Sequence, residues 1–153
     1  MSSRCTRLLV AVLLAALAPI AGCSRHDGDA AASGSSASSA EKSAQSAAES
    51  WLALIDAGKY DESWDEAAKL FRGAVERTAW RRQVGGVRGP IGALTSRTLS
   101  SAKYTRTAPG APDGEYVILQ FDASFQNKKS AVETVTPMLD TDGKWRVSGY
   151  FIR

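Results

Sequence analysis

The spacing of apolar side chains changes once along this chain, and the change decides what it can fold into. Between residues 44 and 84 apolar groups recur every three or four positions, the period of a helix, and beyond residue 94 they recur every second position, the period of a strand. Ala44, Ala47, Ala48, Trp51, Leu52 and Ile55 make one helical stripe, and Gly58 follows as a stop. Asp61 predicts the N-cap of a second helix reaching about Phe71, with Trp64, Ala67 and Ala68 on its apolar side and Gly73 as its breaker. A third helix carries Val75, Ala79, Trp80 and Val84 and is expected to end at Gly85-Gly86. Strands are predicted over 94–104, 115–125, 131–140 and 144–153, the last two joined by a turn at 140–143 that places Gly143 where positive φ is needed.

Helices followed by strands make an α+β domain, with about three N-terminal helices packed on a curved four-stranded antiparallel sheet. Cystatin-like and nuclear-transport-factor-2-like architectures share that layer order, an analogy of fold alone. If Leu139 faces Trp145, strict alternation puts Val147, Gly149 and Phe151 beside Pro137, Val135 and Glu133, on the face of Val117, Leu119, Phe121 and Phe125. The helices should cover that face. Tyr116, Met138, Tyr150 and Ile152 then fall on the other face and form the expected association surface, where they are large groups to leave wet. Pro137 in mid-strand predicts a bulge or an edge.

The first 23 residues read differently. Arg4 and Arg7 precede an apolar run at 8–20, too short to span a bilayer and of the length of a secretory leader, and the run ends in Ile20-Ala21-Gly22-Cys23. This resembles a bacterial lipoprotein signal: residues 1–22 are removed and Cys23 is acylated, so that membrane lipid becomes a partner of the chain. By the sorting rule of Gram-negative lipoproteins, Ser24 after the cysteine directs the chain to the inner leaflet of the outer membrane, facing the periplasm. Residues 24–40 are Ser, Ala, Gly and Asp with almost nothing larger than Ala to bury, and are expected to form a disordered tether. The folded domain is then 41–153.

Few chemistries survive this partition. His26, the one histidine, lies in the tether, and Cys5 and Cys23 belong to the leader and the anchor, so 41–153 offers no thiol and no imidazole to a metal, a disulfide or a nucleophile. Without the leader 17 basic residues face 16 acidic ones, a balance that gives no reason to expect nucleic acid. No cofactor motif is present: the glycines at 85–92 are not followed by the Lys-Ser/Thr of a phosphate loop and read as a turn. Arg72, Arg77, Arg81, Arg82 and Arg88 form a basic cluster that could meet lipid headgroups, although such a run is more often a solvated helix face. Trp51, Trp64, Trp80 and Trp145 could line a pocket, although such residues more often form core.

Glu133 is the best candidate for a catalytic carboxylate, because the alternation turns it toward the apolar face. Burial alone favours its neutral acid and a guanidinium favours its carboxylate, and Arg88 and Arg97 are the expected partners, near Trp80. A structural ion pair is the favoured reading, and a small hydrolase or isomerase using Glu133 is the alternative.

Residues 51–60 (WLALIDAGKY) with Ser63-Trp64, 88–92 (RGPIG) with Ser96-Arg97, 112–116 (PDGEY) with Gln120-Phe121, Ser124-Phe125, Lys128, 133–136 (ETVT), 142–145 (DGKW) and 149–153 (GYFIR) resemble the bacterial domain-of-unknown-function family 4019. The resemblance covers nearly all of 41–153. It implies a secreted or lipid-anchored bacterial domain and brings no activity, cofactor or catalytic residue. The expectation is a non-catalytic interaction or ligand-binding lipoprotein, with an envelope protein or a second copy as partner.

Overall fold

The computed structural model describes residues 28–153, so the leader, Cys23 and His26 lie outside the described residues. Four helices precede four strands: α1 (Gly28–Asp56), α2 (Tyr60–Asp65), α3 (Lys69–Ala74), α4 (Arg77–Ile91), β1 (Leu94–Thr105), β2 (Tyr116–Phe125), β3 (Lys128–Leu139) and β4 (Trp145–Ile152). The strands form one antiparallel sheet in the order β1-β2-β3-β4, which leaves β1 and β4 as edges. No described helix is long and apolar enough to cross a membrane.

α1 buries Ala44, Ala48, Trp51, Leu52 and Ile55, the stripe that its sequence predicts. It ends in a Schellman motif: Lys59 N–H donates to Leu54 C=O and Gly58 N–H to Ile55 C=O, with Gly58 at φ +73°. The helix begins much earlier than expected. Residues 28–40, expected as coil, are helical and add about 20 Å at the helical rise of 1.5 Å per residue. The packed part supplies the costly nucleus, and the Ala- and Ser-rich segment before it adds only the smaller cost of propagation.

The second predicted helix is split. Asp61 does not cap it but lies in the first turn of α2. At Ala68 the chain dips to the sheet, and the Ala68 N–H bonds Val147 C=O on the edge of β4 at 2.8 Å, so α3 starts afresh at Lys69. The third helix, conversely, runs through Gly85-Gly86 to Ile91. Gly85 lies beside the ring of Tyr60, where a Cβ would make an ordinary contact at 3.6 Å from Cε2. The segment 88–92 is thus the last turn of α4 and its cap, not a turn between helix and sheet. The β2–β3 turn closes this end: Asn127 donates from its backbone N–H to Ile91 C=O and from its side chain to Pro90 C=O.

β2 buries Val117, Leu119, Phe121, Ala123 and Phe125 as alternation predicts. Leu139 faces Trp145 and Pro137 faces Val147 as expected, but a bulge between Thr136 and Pro137 shifts the pairing beyond it, so that Val135 faces Tyr150 and Glu133 faces Ile152. Strict alternation therefore fails for the last residues of β4. Tyr150 packs against the core and Ile152 against Phe125 and its neighbours, while Phe151 turns out to solvent. Tyr116 is fully buried, its hydroxyl donating to Pro112 C=O at 2.8 Å. The association surface expected from Tyr116, Met138, Tyr150 and Ile152 is thus not one surface. Tyr150 and Ile152 join the buried clusters, while Tyr116 and Met138 face each other across β2 and β3 and join neither.

Candidate functional site

Where α1, α4 and three strands meet, the structure gathers two carboxylates, two guanidiniums and a phenol. Glu133, on the inward parity of β3, has no exposed surface. Its Oε1 accepts from Tyr150 Oη at 2.6 Å and Arg88 Nη1 at 3.3 Å, and its Oε2 accepts from Arg97 Nε at 2.5 Å. Asp56, the last residue of α1, takes the other side of both arginines: Oδ1 accepts from Arg88 Nη2 at 2.8 Å and Arg97 Nη2 at 3.0 Å, and Oδ2 from Arg97 Nη1 at 2.7 Å. Arg88 lies over the Phe125 ring, 4.6 Å from its centroid.

The expected partners Glu133, Arg88 and Arg97 are therefore together. Trp80 is one layer away and reaches the cluster through Tyr150, whose ring centroid is 6.3 Å from its own. Trp80 also meets Trp51 and Phe71, and both Trp51 and Trp80 donate indole N–H bonds to the buried Ser63, to its carbonyl and hydroxyl oxygens respectively. These two tryptophans are core. Asp56 and Tyr150 are the members that strict alternation and the apolar stripe did not reveal.

Charges balance in this cluster, two negative against two positive, and every carboxylate oxygen has a donor. Burial opposes the charge of Arg97, but its bonds to Asp56 and Glu133 prevail and hold it above the usual guanidinium range. Burial, together with the adjacent Glu133 charge and the bond to it, pushes the Tyr150 phenol well above its ordinary value of about 10. The folded state thus binds this proton more tightly than the unfolded state. The stability it contributes is complete below about pH 10 and is lost as pH rises beyond that value. Tyr150→Phe is expected to cost about 1.5–3 kcal/mol at neutral pH, the range for a hydrogen bond to a charged group. It should also flatten the alkaline decline of stability, read by urea melts across pH with phenolate absorbance as the second signal.

Glu133 is covered and accepts three hydrogen bonds, two of them from guanidiniums, the arrangement of a buried ion pair. The helical arginines are also engaged. Arg77 pairs with Asp65 and stacks on Trp64, Arg81 Nη1 bonds Asp61 Oδ2 at 3.0 Å, Arg72 donates to Asp65 C=O, and Arg88 is buried. Of the five arginines of the basic cluster Arg88 alone is buried, while Arg72, Arg77, Arg81 and Arg82 stay exposed, as a solvated helix face requires.

A cleft of about 640 Å³ lies between α1, α2 and the start of β4, with Trp51, Leu54, Glu62, Lys144 and Trp145 among its lining. It mixes aromatic surface with charges of both signs, which suits a partner segment or a small amphipathic ligand.

A family model described as "Protein of unknown function (DUF4019)" matches residues 47–150. The chain belongs to this family. No curated protein and no solved structure matches it. The DUF4019 match takes in all five members of the charge cluster, from Asp56 to Tyr150, and its upper limit falls on the phenol itself.

Proposed function

We propose that this DUF4019 chain is an envelope lipoprotein, exported, acylated on Cys23 and held on the periplasmic side of the outer membrane, with a domain that binds a partner or small ligand and does no chemistry. The observation that carries the reading is the order of Arg4, Arg7, the apolar run at 8–20 and Ile20-Ala21-Gly22-Cys23. Each buried methylene adds about 0.8 kcal/mol of membrane affinity, so two or more acyl chains anchor stably where one would not. The occupied state of Glu133 supports a scaffold over an enzyme, and the cleft beside Trp51 and Trp145 is the contact surface this reading assigns.

Cys23→Ser is expected to abolish palmitate labelling and to move the protein from the membrane to the soluble fraction or leave it uncleaved. Labelling that persists, or membrane retention of a cleaved serine variant after carbonate washing, overturns the anchor.

A further inference from the structure

The open edge of the sheet carries an inference that the anchor reading does not contain. Val132 and Arg153 exchange both backbone hydrogen bonds, so pairing alternates from there: Phe151 and Gly149 bond β3, while Tyr150 and Ile152 direct their N–H and C=O groups away from it. Among the described residues nothing hydrogen-bonds those four groups. At Val147 the edge is already closed by the Ala68 N–H. The open stretch is therefore 149–153.

This short edge also lies beside two of the three large apolar side chains that are exposed among the described residues. Phe151 is 61% exposed and Val87 of α4 is 47% exposed, and both border a groove of about 180 Å³ with Trp80, Val84 and Ile152. A row of unmet backbone groups beside uncovered aromatic surface is a template for another strand.

We propose that this strand is β4 of a second copy, antiparallel and centred on Phe151. The sequence suits that one register. Tyr150 pairs with Ile152 of the second copy and the reverse, which satisfies all four N–H groups and all four C=O groups of the two edges. Phe151 faces Phe151 across the two-fold axis in a non-hydrogen-bonded pair, where side chains approach most closely and aromatic pairs stabilise the sheet. Arg153 falls opposite Gly149, which has no side chain to meet it, so no like charges oppose each other. A register slid toward Val147 would collide with the Ala68 junction and bring Arg153 toward Arg146. The interface is isologous, as a two-fold dimer requires. A free strand from another protein would satisfy the backbone equally, but nothing on the edge selects its sequence, whereas the Phe151, Gly149 and Arg153 positions select themselves.

Cross-linking tests this in the full chain carrying Cys5→Ser and Cys23→Ser, so that neither native thiol competes with the one introduced. Phe151→Cys is expected to give an oxidised covalent dimer in several-fold higher yield than Asp122→Cys, an exposed control on β2. In sedimentation equilibrium Phe151→Asp should weaken dimerisation by about tenfold or more, since it places like charges directly opposite. Ile152→Pro removes an outward N–H without touching the domain's own ladder and should do the same. Equal cross-linking at 151 and 122, a dimer that survives both substitutions with circular dichroism unchanged, or a chain that stays monomeric while Phe151→Cys captures a different protein in cells, each overturns the second copy as the occupant.

Discussion

Glu133→Ala is expected to destabilise the domain by about 3–5 kcal/mol, the range for breaking a buried ion pair, measured by urea denaturation at neutral pH. The substitution strips three donors of their acceptor and leaves two guanidiniums, 5% and 13% exposed, sharing one carboxylate. Asp56→Ala removes as many hydrogen bonds but should cost less, because Asp56 is 24% exposed and water can take its place. Glu133→Gln keeps the shape and one acceptor oxygen, and should fall between alanine and wild type. The joint variant Arg97→Met with Glu133→Leu should be more stable than Glu133→Ala alone. It leaves Asp56 with Arg88, a balanced pair, and replaces the rest with apolar volume. If Glu133→Ala unfolds with the wild-type midpoint, the cluster does not hold the two layers together.

Trp80→Ala should cost a similar amount, about 3–5 kcal/mol, by a different mechanism. The indole is 6% exposed and fills the space between Trp51, Phe71 and Tyr150, with ring centroids at 5.8, 5.0 and 6.3 Å. Removing it opens a cavity that those rigid rings cannot collapse into. Trp80→Phe should cost about 1–2 kcal/mol, because the lost N–H bond leaves Ser63 Oγ still donating to Tyr60 C=O at 2.8 Å. The alanine–phenylalanine difference in thermal melts separates volume from hydrogen bonding. Equal midpoints for the two variants would show that packing at this position contributes little.

The four strands, the 140–143 turn and the inward parity of Glu133 were all legible in the spacing of apolar residues, because a half-buried antiparallel sheet writes its inside and outside into alternate positions. The helical segments were legible in kind but not in extent. The split at Ala68 depends on an N–H taken by Val147, a partner that is not local, and α4 runs on through two glycines that read locally as its stop. The charge cluster was half legible. Asp56 carries a signal after the fact: it continues the row Ala44, Ala48, Leu52 in steps of four, so a charge stands where the pattern calls for burial. Tyr150 was hidden by one residue. The bulge beside Pro137 reverses the parity of everything after it, and a proline inside a strand is the available warning.

The five cluster members span nearly the whole domain, with 32 residues between the positions of Asp56 and Arg88 and 62 between those of Arg88 and Tyr150. A nascent chain still short of its final strand holds all four charges and lacks the aromatic lid that seals them. Contacts of such long range form late. The domain should thus have no stable truncated precursor, and a ribosome-tethered fragment ending before β4 should remain loosely packed and open to protease.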